Sequence, residues 1–340
     1  MSENHRINIK NRTPLQDVIP LDTPFVVYVD PSSICNFRCK FCPTGEADEI
    51  RKTSRWKGRL TMDYFKKAID DLEEFDRPIK ALKLFKDGEP LLNKNFHEMV
   101  KYAKDSGAVN YIETTTNGVL FTKDIVDNII EAGINRINIS VYGTSAKQFL
   151  DFTRNKVDFD AYVEQIRYLF ENRGDCKIFI KTTAGTFEED HVEEFYKIFK
   201  PISDYIGVEH ISPFWPGYEF QEKYNLEINT KKGTFGNKLI LEKEVCPYLF
   251  YAMAINSDGR VDMCSCDWRH DFPIGDIKEQ SLKEVWNSGR LFELRMMHLR
   301  GKRNEHPLCR NCREISYEAV DNIDEYAEDI ILRLEKRELQ

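Results

Sequence analysis

The chain has 340 residues and a formal net charge of −8, with 41% hydrophobic and 12% aromatic residues. These values are typical of a globular protein and exclude a largely disordered one. The negative charge, without a long run of Lys or Arg, argues against nucleic-acid binding and against attachment to an anionic lipid surface. A chain of this length usually folds as one large domain and a smaller one.

The amino terminus, residues 1–6, is polar and lacks the apolar core of a signal peptide. No run of about 18 apolar residues is present to span a membrane. We therefore expect a soluble, cytoplasmic protein. In that compartment, nine cysteines indicate metal or cluster ligation rather than disulfides. They form one group at 35–42 and another at 246–312, with Cys176 alone between them.

In chain order, residues 1–22 are polar and are expected to be a leader segment that lies against the surface of the folded domain. Between residues 23 and 212, short apolar runs alternate with amphipathic stretches of helical period. This alternation predicts a parallel sheet, and six repeats predict an α/β fold of the partial (β/α)6 barrel type, open on one side. Function in such barrels lies in loops at the carboxyl ends of strands. The predicted strands cover residues 25–29, 79–85, 109–115, 137–141, 178–180 and 206–211.

The pattern changes after residue 212. Residues 213–245 show no clear period and are expected to be a linker or a long loop near the substrate entrance. Residues 246–315 form a small C-terminal cysteine-rich domain in this interpretation. Residues 316–340 are predicted to be a charged terminal helix.

Three cysteines, Cys35, Cys39 and Cys42, follow the first predicted strand. Three thiolates can hold three irons of a cubane cluster and leave the fourth iron open to a substrate or cofactor. The alternatives are a structural zinc site, which needs a second ligand pair nearby, and a disulfide, which needs an oxidising compartment. No such pair lies between Cys42 and Cys176, so a three-thiolate cluster is favoured.

The spacing CxxxCxΦC, with Phe41 at Φ, resembles the cluster motif of the radical S-adenosylmethionine (radical SAM) superfamily. Two later segments add to the resemblance: residues 87–90 (Asp-Gly-Glu-Pro) are similar to its GGEP segment, with Asp87 in place of the first glycine, and residues 115–118 are similar to its TTNG turn. The resemblance implies a [4Fe-4S] cluster on the three cysteines and SAM beside it. In this comparison Gly88 allows close backbone approach and Glu89 accepts from the methionyl ammonium. The implied SAM-binding residues are Phe41, Gly88, Glu89, Pro90, Thr115, Asn117 and Ser140.

The second cysteine group is also compatible with a zinc knuckle. Its surroundings favour a different interpretation, because residues 255–261 are typical of a β-hairpin with an Asp-Gly turn and residues 274–288 follow it. Together these segments resemble the SPASM/twitch extension of radical SAM enzymes, with a cysteine spacing similar to that of 2-deoxy-scyllo-inosamine dehydrogenases. A full SPASM domain carries seven cysteines, whereas five are present here, so the resemblance implies a single auxiliary [4Fe-4S] cluster. Its implied ligands are Cys246, Cys264, Cys309 and Cys312.

The resemblance implies reductive cleavage of SAM to a 5′-deoxyadenosyl radical, which abstracts hydrogen from a small polar substrate. The expected reaction is dehydrogenation at a carbinol carbon of a carbohydrate or cyclitol. The expected cofactors are SAM and two [4Fe-4S] clusters, with an electron donor such as flavodoxin or ferredoxin as partner. Side chains predicted near the carboxyl ends of later strands are candidates for substrate binding: Arg154, Lys181, Thr183, His210 and Ser212.

Cys266 bears on the outcome of the reaction. If Cys264 and Cys266 lie in a strand, both thiols share one face, and Cys266 is left spare beside the cluster. A spare thiol near the substrate returns a hydrogen atom and gives epimerisation, whereas an idle one leaves dehydrogenation. A peptide-modifying maturase is a further alternative, less favoured because 22 residues before the barrel are too few for a peptide-recognition domain. A non-catalytic metal-binding module ranks last, because it leaves the barrel motifs unexplained.

Overall fold

A computed structural model describes residues 13–184, 189–226, 228 and 241–338. Its strands form one nine-stranded sheet in the order β6-β5-β4-β3-β2-β1-β7-β8-β9. These strands are β1 Val26–Val29, β2 Ala81–Lys83, β3 Ile112–Thr116, β4 Arg136–Ser140, β5 Lys177–Ala184, β6 Tyr205–His210, β7 Ala252–Ile255, β8 Arg260–Asp262 and β9 Pro273–Asp276. The helices are α1 Ala47–Ile50, α2 Met62–Leu72, α3 Phe96–Ser106, α4 Lys123–Glu131, α5 Ala146–Thr153, α6 Phe159–Asn172, α7 Glu189–Phe199, α8 Gln221–Tyr224, α9 Tyr248–Tyr251, α10 Leu282–Trp286, α11 Gly289–Leu299, α12 Glu314–Tyr317 and α13 Ala327–Glu338.

Strands β1 to β6 are parallel, and each pairs with the next along the chain. At least one helix lies between each consecutive pair, which is the β-α repeat that the sequence predicts. The predicted α/β partial barrel is confirmed. Helix α5, between β4 and α6, is an addition that the apolar pattern did not reveal.

Local signals set the ends of the early helices. The hydroxyl of Thr61 accepts from the backbone N–H of Tyr64 at 3.2 Å and caps α2. Helix α3 ends at Gly107, whose φ of +71° lies in the left-handed region that glycine adopts without strain. Both signals, a capping threonine and a terminal glycine, are visible in the sequence.

The cysteine-rich extension continues the sheet of the barrel. Strand β7 lies parallel to β1, with Val26 opposite Ala252 and Val29 opposite Ile255. Strands β8 and β9 follow in antiparallel order, after a turn in which Gly259 has a φ of +92°. The sequence suggested two separate units, whereas backbone hydrogen bonds join them directly. The second cysteine group is therefore fixed relative to the first.

Residues 13–22 lie against the terminal helix α13. Leu15 and Ile19 are buried, and the guanidinium of Arg333 donates to the backbone oxygens of Gln16 and Ile19 at 2.7 and 2.6 Å. Of the predicted leader, residues 1–12 lie outside the described part of the chain, as do residues 227 and 229–240 of the predicted linker and residues 339–340 of the terminal helix. None of the helices in the described ranges is long and apolar enough to cross a membrane.

Candidate functional site

A cavity of about 260 Å³ lies at the carboxyl edge of the barrel. Every strand from β1 to β6 contributes to it, through its last residues or the loop that follows, as the barrel architecture predicts. The lining residues are Cys35, Phe37, Cys39, Phe41, Cys42, Phe85, Lys86, Asp87, Gly88, Glu89, Thr115, Thr116, Asn117, Ser140, Tyr142, Lys181, Thr183, Glu209, His210, Ile211, Ser212, Phe214, Trp215 and Glu318.

The loop that carries the first three cysteines is held by helix α5 and its carboxyl end. The backbone N–H of Arg38 donates to the oxygen of Thr153 at 2.9 Å, and that of Lys40 donates to the oxygen of Phe152 at 3.2 Å. The ring of Phe41 packs against Phe152, with centroids 5.6 Å apart. These contacts present the three thiols to the cavity.

Burial, together with the charge of Glu89, raises the pKa of the Cys35 thiol to about 12. Burial likewise raises the pKa values of Cys39 and Cys42 above their usual range. Thiols in such a site ionise only when a cation compensates the charge, which the irons of a cluster provide. Three thiols that open onto one cavity, one of them buried and two half-buried, fit a cluster with an exposed corner.

Arg154, a predicted substrate residue, lies behind this cysteine loop and is absent from the lining of the cavity. It ends α5 with a φ of +56°. Its guanidinium donates to the backbone oxygens of Arg38 and Gly45 at 2.6 and 3.2 Å, and it forms an ion pair with Glu46. Its contacts therefore hold the loop rather than a ligand in the cavity.

Glu46 also holds the cysteine loop in place, a role that the sequence did not reveal. Burial opposes its ionisation, but hydrogen bonds from Lys223, Tyr224 and Arg154 outweigh that effect and lower the pKa of Glu46 to about 2. The carboxylate is thus charged at neutral pH and ties the cysteine loop to α8. No sequence signal points to it, because its partners lie more than a hundred residues away.

Gly88 and Glu89 join the loop after β2 to its neighbours. A Cβ on Gly88 would lie 2.2 Å from the oxygen of Ile34 and 2.3 Å from that of Ser32, so only glycine fits this approach. The adjacent backbone N–H of Glu89 donates to the oxygen of Ile34 at 2.9 Å. The glycine therefore brings the second predicted motif against the cysteine loop.

The carboxylate of Glu89 connects this loop to the end of β3. It accepts from the hydroxyl of Thr116 at 2.6 Å and from the backbone N–H groups of Asn117 and Leu91 at 2.8 and 3.1 Å. Burial outweighs these bonds and raises the pKa of Glu89 to about 7. The sequence assigned Glu89 to the SAM ammonium, but not this connection between the two motifs.

The other predicted SAM-binding residues divide into two sets. Thr115, Asn117 and Ser140 line the cavity together with Phe41, Gly88 and Glu89. Asn117 also donates from its side chain to that of Asn36, in the cysteine loop, at 2.7 Å. Pro90 is buried at the start of a 3-10 turn and is not a lining residue.

Four of the five candidate substrate residues also line the cavity, namely Lys181, Thr183, His210 and Ser212.

A buried ionic network connects the barrel to the extension. The ammonium of Lys86 lies 2.9 Å from Asp87 and 3.2 Å from Asp262, and it donates to the backbone oxygen of Asp267 at 3.1 Å. Asp87 also contacts the imidazole of His270 at 2.7 Å. The sequence placed Asp87 in a SAM-binding motif, whereas its carboxylate faces this network.

The second cysteine group surrounds a small apolar pocket. Arg303 donates from its guanidinium to the backbone oxygens of Cys309 and Cys312 at 2.7 and 3.1 Å, and the backbone N–H of Cys246 donates to the Nδ1 atom of His298 at 3.3 Å. Burial raises the pKa values of the Cys246 and Cys309 thiols, as it does in the first group. The lining residues are Cys246, Leu249, Met263, Cys264, Cys266, His298, Arg303, Leu308, Cys309, Cys312 and Ile315.

Cys266 does not lie where the sequence suggested. Residues 264–266 form a turn after β8 rather than a strand. The backbone N–H of Cys266 donates to the sulfur of Cys264 at 3.3 Å, and its side chain is hydrogen-bonded to those of Cys264 and Cys312. The thiol is buried inside the second cysteine pocket and is absent from the lining of the main cavity.

In the part of the chain that the structure describes, no group of three or more His, Cys, Asp or Glu side chains is placed to hold a single metal ion. The two sets of cysteines instead surround two separate cavities. A partial parallel barrel carries three thiols at its carboxyl edge and is joined to a second thiol-lined pocket. This combination of fold and sites is typical of an iron–sulfur protein.

The chain belongs to the radical SAM superfamily, whose family model matches residues 29–199. A second model, for the iron–sulfur cluster-binding SPASM domain, matches residues 246–313. Both predicted resemblances are confirmed, and the cofactors are SAM and [4Fe-4S] clusters.

Individual relatives resemble most of the chain at low identity. An AdoMet-dependent heme synthase of Methanosarcina barkeri (strain Fusaro / DSM 804) is 22% identical over 88% of this chain and 94% of its own. The structure of BtrN in complex with AdoMet and 2-DOIA aligns with a TM-score of 0.55 and 18% identity, over 88% of this chain and 97% of BtrN. That of native anSMEcpe with bound AdoMet gives a TM-score of 0.58 and 16% identity, over 93% of this chain and 98% of anSMEcpe. These structures share the fold.

Proposed function

We propose that this enzyme oxidises a carbinol carbon of a small polar substrate, a carbohydrate or cyclitol, to a carbonyl. The observation that carries this proposal is the position of Cys266, which is enclosed with the second cysteine group. Among the described residues, the thiols that line the main cavity are those of Cys35, Cys39 and Cys42. A substrate radical in that cavity therefore has no spare thiol from which to regain a hydrogen atom.

The proposal assigns each cysteine set a cofactor. Cys35, Cys39 and Cys42 hold the cluster that contacts SAM, and Cys246, Cys264, Cys309 and Cys312 hold the auxiliary cluster. When bound, these groups supply a 5′-deoxyadenosyl radical, which takes a hydrogen atom from the substrate, and an acceptor for the second electron of the oxidation. The substrate gives up a hydrogen atom, an electron and the hydroxyl proton, which together are the two electrons and two protons of a carbinol oxidation. The external donor supplies one electron for each SAM cleaved, and methionine is the other product of that cleavage.

The protein contributes orientation and exclusion of water. Beyond the motif residues, the cavity presents polar side chains at the ends of β5 and β6, among them Thr183, His210 and Ser212. Hydroxyl, imidazole and ammonium groups bind the hydroxyls of a polyol by hydrogen bonds. The aromatic rings of Phe214 and Trp215 also line the cavity, and they suit the apolar face of a sugar or cyclitol ring.

The test is turnover in D₂O by protein reconstituted anaerobically with iron and sulfide and reduced by flavodoxin or dithionite. Sugars, cyclitols and peptides are supplied in separate reactions. We expect one carbonyl for each 5′-deoxyadenosine released with a polyol, and no solvent deuterium at the abstracted carbon. Deuterium retained there without oxidation indicates an epimerase, and a modified peptide indicates a maturase. Failure to cleave SAM under any of these conditions indicates a non-catalytic module.

A further inference from the structure

The second cysteine pocket contains a buried histidine with one nitrogen that has no partner. His298 lies in α11, is fully buried and lines the pocket together with the cysteines. Its Nδ1 atom accepts from the backbone N–H of Cys246 at 3.3 Å. A ring nitrogen that accepts carries no proton, so the proton of this imidazole is on Nε2, which can only donate. Among the described residues, no acceptor lies within hydrogen-bonding distance of Nε2.

Arg303 brings a second donor of this kind to the pocket. Its guanidinium donates to the backbone oxygens of Cys309 and Cys312, whereas its Nε atom is buried and has no acceptor in the part of the chain that the structure describes. Arg303 also adds a positive charge beside the pocket that it lines. Two donors without acceptors therefore converge on one thiol-lined pocket.

The rest of the pocket offers these donors mainly sulfur. Its other lining residues are either apolar or cysteines: Leu249, Met263, Leu308, Ile315, Cys246, Cys264, Cys266, Cys309 and Cys312. A buried donor without an acceptor is uncommon in native proteins, so an acceptor is expected inside the pocket. The sulfurs of an iron–sulfur cluster carry negative charge and accept hydrogen bonds from N–H groups. A cluster held by these cysteines would therefore satisfy both donors.

We propose that the Nε2–H of His298, assisted by Arg303, donates to a sulfur of the auxiliary cluster and raises its reduction potential. Hydrogen bonds and positive charge favour the reduced cluster, because it carries one more negative charge than the oxidised one. The inference rests on the proposed function and deepens it, since a higher potential suits a cluster that accepts the second electron of the oxidation. In that transfer the substrate radical gives one electron to the cluster and its hydroxyl proton to solvent. His298 acts through the cluster and is a positioning residue.

The first test measures the midpoint potential of the auxiliary cluster by a redox titration followed by EPR. Cys35, Cys39 and Cys42 are replaced together by Ala in these samples, so that only the auxiliary cluster contributes to the spectrum. His298→Leu should lower the equilibrium constant for one-electron reduction by about tenfold, which is about 59 mV, because it removes a hydrogen bond to a charged acceptor. His298→Gln should recover most of this shift, since its amide offers an acceptor to Cys246 and an N–H donor to the pocket.

His306→Gln is the matched control. The Nδ1 atom of His306 also accepts from a backbone N–H, that of Leu308 at 3.3 Å, but His306 does not line the pocket. This variant should leave the potential unchanged. Iron content and thermal midpoint are measured on every variant. If His298→Leu and His298→Gln lose iron equally and share one potential, His298 has a structural role only and the proposal is wrong.

A second measurement needs no substitution at His298. The wild-type holoenzyme is prepared with ring ¹⁵N-labelled histidine, and the reduced auxiliary cluster is studied by pulsed EPR. We expect a ¹⁵N coupling transmitted through the hydrogen bond, which persists in His306→Gln and disappears in His298→Gln, whose amide is unlabelled. Absence of this coupling from the wild type would overturn the proposal.

Failure of this inference differs from failure of the proposed function. In turnover with a polyol, His298→Leu should yield less than one carbonyl for each 5′-deoxyadenosine released, because the electron acceptor is weaker. If carbonyl forms but the potential of His298→Leu equals that of the wild type, the hydrogen bond is wrong and the proposed oxidation stands. If the potential shifts and the ¹⁵N coupling is present but no polyol yields a carbonyl, the hydrogen bond stands and the proposed oxidation is wrong.

Discussion

The guanidinium of Arg154 makes several of the contacts that hold the cysteine loop in place. Arg154 presents its planar fork of donors to two backbone oxygens of that loop and to the carboxylate of Glu46. Several acceptors in fixed positions around one side chain suit Arg better than Lys, whose ammonium is a point charge. Its place near the carboxyl end of a strand made it a candidate for substrate binding, but the atoms it contacts belong to the protein.

Arg154→Met should therefore reduce stability and cluster retention. Hydrogen bonds to charged groups contribute about 1.5–3 kcal/mol when buried, and partial exposure of Arg154 reduces the expected loss to about 1–2 kcal/mol. We expect a thermal midpoint several degrees lower and fewer irons per chain after gel filtration. Arg167→Met, which removes an exposed surface ion pair, is the matched control. A raised KM with an unchanged thermal midpoint and iron content would instead show that Arg154 binds the substrate.

The contact between the barrel and its extension depends on charges with little access to water. His270 lies in the loop before β9 and reaches Asp87 after β2. Burial, assisted by the charge of Lys86, lowers the pKa of His270 to about 4, from 6.5 in an unfolded chain. Between these two values the unfolded chain binds more protons than the folded one. The contribution of His270 to stability is therefore lost as the pH falls from 6.5 towards 4.

Replacing His270 by Gln should flatten this dependence. The shift corresponds to at most about 3 kcal/mol across the window. Thermal midpoints measured from pH 7.5 to pH 5 should fall less steeply in His270→Gln than in the wild type. His97→Gln, which removes an imidazole from helix α3, controls for the loss of the ring alone. Equal slopes in His270→Gln and the wild type would show that His270 does not titrate in this range.

Elements defined by neighbouring residues were predictable, and contacts between distant ones were not. The cap at Thr61, the helix end at Gly107 and the six parallel strands follow from local propensity and from hydrophobic period. The pairing of β7 with β1, the partners of Arg154 and the network around Lys86 join residues that are far apart in the chain. Such contacts depend on the tertiary arrangement, which no local pattern encodes. The turn at Cys264 has the same origin, because alternating cysteines are compatible with a strand.

The molecule as a whole holds two thiol-lined sites in one continuous sheet. The cysteine pattern was the part of the site most visible in the sequence, because ligand spacing is itself local. Glu318, which lines the cavity from a segment beyond the second cysteine group, belongs to a charged stretch without a motif. Recognition of the cofactor was therefore predictable, whereas the contribution of Glu318 to the cavity wall was not.

The two sites should be separable by mutation. We expect about eight irons per reconstituted chain, from two cubanes. Replacing Cys35, Cys39 and Cys42 together by Ala should remove about half the iron and all SAM cleavage. Replacing Cys309 and Cys312 should remove the other half and abolish product formation, while reductive SAM cleavage remains.

Cys176→Ala is the control for this set, because Cys176 is buried before β5 and lines neither cavity. It should retain all the iron and full activity. Stoichiometric zinc at both sites, without SAM cleavage by dithionite, would contradict the assignment.

The parallel pairing of β1 with β7 also sets an order of events during synthesis. Strand β1 emerges early from the ribosome, and β7 follows roughly 220 residues later. At a synthesis rate of about 5–20 residues per second, one edge of β1 remains unpaired for roughly 10–45 s before β7 is made. An unpaired edge strand is a template for association with other chains. We therefore expect the nascent barrel to be most prone to association with other chains before the extension is made and covers this edge.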